Sequence, residues 1–173
     1  MLLWENGNYE ILSGSNSGIQ VDVRQIPPPL TVNDSWKVKF PSGSGAPDEI
    51  NLDTLISLHR HPLPGVKYFS GTASWYNTLN IDPEYLDENY RLFLDLGRVE
   101  ILAELYVNDH YAGCLWKPPY MADITGLLHS GDIKIEIKVT NLWPNRLIGD
   151  EQLPEENEYI YHDIQGKFAV LHN

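Results

Sequence analysis

The sequence predicts an all-β protein, an antiparallel β-sandwich. Three observations predict it. Short runs alternate apolar with polar residues, turn-forming residues break those runs at short regular intervals, and a helical period is almost absent. The cleanest run is Ile133-Lys134-Ile135-Glu136-Ile137-Lys138-Val139. Its β-branched residues all fall on one side of a pleated strand and its charges on the other.

The elements follow in order. Tyr9 to Leu12 and Ile19 to Val23 read as two strands. The small residues Ser13 to Gly18 between them make the pair a hairpin. Pro27-Pro28-Pro29 then stiffens the chain into an extended connector. A lone hairpin is marginal in water, so residues 1–26 are either the trailing edge of a preceding domain or an added edge hairpin of this one. Residues 27–173 form the sandwich. Trp36 to Phe40 alternates as a half-buried strand, and Pro41 to Pro47 is loop. Asp53 to Leu58 fits a helical turn or a strand, and His59 to Gly65 is loop. Ser70 to Ile81, Arg91 to Leu96, Ile101 to Val107, Ile133 to Val139 and Lys167 to Leu171 complete the strands. Asn108-Asp109 turns the chain back into Tyr111-Ala112-Gly113.

At 173 residues the chain is long enough to bury roughly 70% of its unfolded surface in one core. Its 12 basic and 24 acidic side chains leave a net charge of -12, which repels phosphate backbones and anionic membrane surfaces. No nucleic-acid or membrane partner is therefore expected. No apolar run approaches the about 18–20 residues of a membrane helix, and Glu5 follows Met1-Leu2-Leu3-Trp4 too soon for a signal peptide. The expectation is a periplasmic or extracellular protein whose export signal lies upstream in a longer parent chain. Cys114, the one cysteine, excludes an internal disulfide and reads as a small buried apolar side chain.

Four words recur in order along the chain. They are Gly71-Thr72-Ala73-Ser74-Trp75-Tyr76, Asp95-Leu96-Gly97, Val107-Asn108-Asp109 with Ala112-Gly113, and Asp123-Ile124-Thr125 with Gly131-Asp132 and Val139-Thr140-Asn141. Together they resemble the jelly-roll, galactose-binding-like sugar-binding domain of glycoside hydrolase family two. Three further segments are Pro64 to Ala73, Leu115 to Tyr120 and Asn145 to Pro154. They resemble the C-terminal β-sandwich of α-L-rhamnosidase-type enzymes, glycoside hydrolase family one hundred and six. The resemblance spans roughly residues 30 to 155; Glu155 to Asn173 carries little that matches. It implies a non-catalytic domain of a larger glycoside hydrolase acting on plant or bacterial polysaccharide. Its partners would be carbohydrate and the catalytic domain of the parent chain. A free-standing carbohydrate-binding module and a structural spacer are the alternatives.

Trp116, Tyr120 and Trp143 are the residues most suited to sugar contact, because a rigid aromatic face stacks on a pyranose at low entropy cost. Each lies near a proline, hence near a strand end or loop; each also suits a core. Asn145, Arg146 and Asp150 offer a planar donor fork and carboxylate acceptors for hydroxyls. The alternative is an Arg–carboxylate clasp holding a loop, or a contact to a catalytic domain. Glycoside cleavage needs two carboxylates facing each other at roughly 5–9.5 Å. Asp150-Glu151 and Glu155-Glu156 are neighbours whose side chains diverge in an extended chain, so no catalytic residue is assigned. His59-Arg60-His61 carries a cation between its imidazoles and reads as a solvated loop. No cofactor is expected. A structural calcium, which galactose-binding-like sandwiches often hold, stays open, although no EF-hand-type loop is present.

Overall fold

The computed structural model describes residues 2–12, 18–32 and 35–152, together with the backbone of 159–162 and 168–171. Among them the protein is an antiparallel β-sandwich, as the alternation predicts. One layer has six strands. They are β3 (Trp36–Lys39), β4 (Glu49–Leu52), β5 (Thr72–Ile81), β7 (Leu102–Val107), β8 (His110–Leu115) and β10 (Gly131–Thr140). Their spatial order is β4-β3-β5-β10-β7-β8. The facing layer is a pair of three-residue strands, β6 (Phe93–Asp95) and β9 (Met121–Asp123). Two hairpins stand apart in the pairing: β1 (Gly7–Leu12) with β2 (Gly18–Val23), and β11 (Tyr159–His162) with β12 (Phe168–Leu171). The loop predicted between β1 and β2 falls mostly outside the described residues, as does Lys167.

Strand alternation sets the core. In β10, Ile133, Ile135 and Ile137 are buried, while Lys134 points to solvent. Their partners across β7 are Val107 opposite Ile135 and Leu105 opposite Ile137. With Ala122 and Ile124 from the facing layer they make one apolar cluster. A second cluster gathers Val38, Phe40, Leu52, Val66, Phe69 and Ala73. The Phe40 and Phe69 rings meet edge to face at 4.9 Å. The β7–β8 turn is as expected: Asn108 and Asp109 both take positive φ, the geometry of the tightest hairpin turn. Asn108 also receives Lys134 N–H on its side-chain oxygen and donates to Leu127 C=O.

Four expectations change. Asp53 to Leu58 forms neither strand nor helix; a 3-10 turn begins only at Leu58. The stretch read as loop through Gly65 contains the start of a short helix, α1 (Pro64–Lys67), where Pro64 supplies a pre-set φ at the first position. Asn145 to Glu151 belongs to an eight-residue helix, α2 (Pro144–Glu151), opened the same way by Pro144. Cys114 is exposed rather than buried. It pairs with Glu104 on the outward side of β8, an edge strand.

Candidate functional site

Four of the six residues predicted to contact sugar lie together around α2. How that helix is held follows from the chain just before it. Beyond Thr140, Asn141 turns its amide onto the start of β5. Its oxygen accepts Gly71 N–H at 2.8 Å and its nitrogen donates to Phe69 C=O at 2.9 Å. The Ser70 hydroxyl donates to Leu142 C=O and accepts Arg146 N–H, so one side chain bridges the turn and the helix. Gly149 lets α2 rest on Tyr68: a Cβ there would lie 2.7 Å from Tyr68 Cβ and Cγ. Tyr68 OH then donates to Gln152 Oε1 at 2.6 Å. The segments Pro64 to Ala73 and Asn145 onward, which the resemblance singled out separately, thus pack on each other.

Trp143 caps the helix, its carbonyl accepting Leu147 N–H at 3.0 Å, and the residue is 71% exposed. Leu142, Leu147 and Ile148 beside it are also exposed. Arg146 pairs with Asp150 one turn on, Nε to Oδ1 at 2.8 Å. The Arg–carboxylate clasp is therefore present, and it holds a helix rather than a loop. Grasping a sugar hydroxyl with either group means competing with that pair. Asn145 sits at the helix start beside Pro144.

Trp116 lies on a different loop, between β8 and β9. It is 64% exposed, with Lys117 Nζ 5.3 Å from its ring centroid. Tyr120, on the same loop, does not share that exposure. Only 8% of it is accessible, and its hydroxyl donates to Ile101 C=O. Its carbonyl accepts Leu96 N–H, which draws the residue beneath the facing layer. Tyr120 is a core residue and offers no free ring face to a sugar.

The carboxylates are engaged locally. Asp123 accepts the Thr125 hydroxyl and N–H and pairs with Arg91 at 2.6 Å. Those two hydrogen bonds from Thr125, then the Arg91 charge, hold its carboxyl below the usual range. Glu136 accepts Tyr76 OH and faces Lys138. Burial and that bond to Glu136 push the Tyr76 phenol up. Glu100 pairs with Arg98. His59 bonds Ser57 Oγ and His61 accepts Leu63 N–H, so the two imidazoles serve their own loop. Among the described residues, no group of three His, Cys, Asp or Glu side chains converges as a metal site would require.

Sequence reasoning missed Ser70, Tyr68, Asn141, Gly149 and Gln152. Asn141 stood inside a recognised word, but its role as a clamp depends on residues 70 positions away.

No family profile matches the chain. A protein of Formosa agariphila, provisionally named a β-glucuronidase, is 42% identical over 151 residues, covering 87% of this chain. The rhamnosidase from Novosphingobium sp. PP1Y is 36% identical over 88% of the chain, with a TM-score of 0.68. The chain is similar to one part of larger glycoside hydrolases. It spans only 13% of the length of each of these two proteins. A β-glucuronidase of an uncultured Clostridium sp. shares the fold at 19% identity and a TM-score of 0.54, over 64% of this chain and 21% of its own.

Proposed function

We propose that this chain is a non-catalytic accessory β-sandwich domain of a larger glycoside hydrolase. The jelly-roll, galactose-binding-like type and an α-L-rhamnosidase-like parent acting on polysaccharide are part of that reading. One observation carries it: nearly the whole chain aligns, at 36% and 42% identity, with about an eighth of two glycosidases. The two bear different activity names. A portion common to both is poorly suited to choosing the sugar, which supports a bracing role beside a catalytic domain. The clamped α2 presents Leu142, Trp143, Leu147 and Ile148 outward, an apolar strip suited to such a neighbour. The local engagement of Asp123, Glu136 and Asp150 supports the absence of a catalytic pair. Residues 1–26 read best as part of this sandwich. Trp4 packs on Phe93 at 5.2 Å, and Tyr90 OH donates to Gln25 C=O.

The second reading, a free-standing carbohydrate-binding module, is favoured by the exposed rings of Trp116 and Trp143. A glycan array that includes rhamnose- and galactose-containing polysaccharides separates the two. Binding that falls by roughly 1 kcal/mol or more on Trp143→Ala or Trp116→Ala supports the module. No binding by the isolated chain supports the accessory domain.

A further inference from the structure

The six-stranded sheet has a second face, turned away from both apolar clusters. Strand alternation puts Lys37 of β3, Tyr76 and Thr78 of β5, and Lys134 and Glu136 of β10 on it. Register makes them neighbours. Lys37 lies opposite Tyr76 and Tyr76 opposite Glu136, with Thr78 opposite Lys134 in the next row. Asn51 of β4 extends the first row beyond Lys37. These side chains line a groove of about 590 Å³, with Asp109 of the β7–β8 turn on its rim. That turn is fixed to the sheet, since Asn108 N–H donates to Lys134 C=O and Asn108 Oδ1 accepts Lys134 N–H. The volume lies within the roughly 300–1,000 Å³ of small-molecule pockets. Such pockets are mostly apolar, whereas this lining is almost wholly polar.

Part of the groove is fixed and part is free. Tyr76 OH donates to Glu136 Oε1 at 2.9 Å, Lys138 stands 3.8 Å from the same carboxylate, and Lys39 lies 5.5 Å from the Tyr76 ring centroid. The floor is therefore held in place before anything binds. Among the described residues, the side chains of Asn51, Thr78, Asp109 and Lys134 make no hydrogen bond or ion pair. Elsewhere on the surface charges are paired with close neighbours, as in Arg98–Glu100 and Arg146–Asp150. Two ammonium groups, Lys37 and Lys134, face two carboxylates, Asp109 and Glu136, so the groove holds no excess charge for an anion. It offers donors and acceptors side by side, which is what a hydroxyl needs, because a hydroxyl both donates and accepts. We propose that this groove binds a neutral, hydroxyl-rich sugar residue, with Asn51, Thr78, Asp109 and Lys134 contacting its hydroxyls over a floor fixed by Tyr76 and Glu136. The site lies on the sheet, apart from the loop tryptophans Trp116 and Trp143. Its probes are chosen on the carbohydrate reading above.

The test titrates the full chain, labelled with 15N, with methyl α-L-rhamnoside, methyl β-D-galactoside and sodium glucuronate. At least one of the two neutral glycosides should shift the amide signals of 37, 76–78, 109 and 134–136 together and saturably, with an affinity that added sodium chloride leaves unchanged. Thr78→Val keeps the side chain's shape without its hydroxyl, and Asn51→Ala removes the amide. Both positions are exposed, so the variants should melt with the native chain. Each should weaken binding roughly fivefold or more. Affinity unchanged in both variants overturns the proposal. So do shifts centred on Trp116 or Trp143, which would leave a carbohydrate-binding module without this site. Binding of glucuronate alone that fades with salt overturns it as simple charge attraction to the lysines. No shift with any probe overturns it too, and leaves the accessory-domain reading standing.

Discussion

Strands β7 and β5 are both interior strands of one sheet, yet their inward residues are covered to different degrees. The inward residues of β7, Ala103, Leu105 and Val107, are completely buried. Along β5 the inward residues Ala73 and Ile81 are as closed to solvent, whereas Trp75 and Leu79 between them are only partly buried. Their chemistry does not explain the contrast, since Trp and Leu are as apolar as what β7 carries. The cover does. Six strands at about 4.8 Å spacing are roughly 24 Å across, whereas a two-stranded layer has one such spacing. β6 and β9 add Ala122 to the cluster over β7 and β10, a second cluster closes over Val38, Leu52 and Ala73, and Trp75 lies at the seam between the two. A sheet can be regular along its whole width while its cover is built from two separate clusters.

Truncating one leucine in each half tests that difference most strongly. Leu105→Ala leaves a cavity among fully buried neighbours and should cost about 2–5 kcal/mol. Leu79→Ala, at a partly buried position, removes less buried area and should cost about 1 kcal/mol. Urea unfolding of the two variants measures both. Equal losses would show that the β5 half is as well covered in solution as the β7 half.

Closing the sheet at its α2 end is the next feature to break. Gly→Ala inside a helix ordinarily gains about 1 kcal/mol. At Gly149 the added methyl meets Tyr68 Cβ and Cγ at 2.7 Å, atoms close to the backbone that have little room to move. The sign should reverse, with a loss of about 1–3 kcal/mol. Amide hydrogen exchange should rise along 68–71 and 141–152 and stay unchanged in β7, which confines the damage to the second cluster's side.

How much of this was legible beforehand follows from the range of the forces involved. The sandwich was legible because alternation is local: Ile133 to Val139 declares its two faces within seven residues. The Asn108-Asp109 turn was legible for the same reason. Helix α2 was not singled out, although Pro144 at its first position and the Arg146–Asp150 spacing both signalled it. The short strands β4 and β9 take their strand character from partners, β3 and β6, rather than from their own pattern. Trp116, Tyr120 and Trp143 looked alike in sequence because each lies near a proline. Burial separates them, and burial is decided by what crosses above a loop. For Tyr120 that is Leu96 N–H and Ile101 C=O, both about 20 residues away.

The smallest expected effect concerns the cover of the well-packed half, and it depends on pH. Asp123 ends β9, and its carboxylate accepts two hydrogen bonds from Thr125 and faces Arg91. Those contacts favour the ionised form, so its folded-state pKa is lowered. A lowered pKa contributes stability that is present above the unfolded value, near about 3.9, and is lost as pH falls through the folded one. Acid should therefore loosen β6–β9 and bring the cover of β7 closer to that of Trp75 and Leu79. Asp87, held low by the Asn89 backbone and side chain, titrates in the same direction outside this layer. Asp123→Asn separates the two. Between pH 6 and pH 3 the melting temperature of the variant should fall less than that of the native chain. Parallel curves would mean that the Asp123 contacts do not hold the cover in place, and that the closer burial of β7 comes from apolar packing alone.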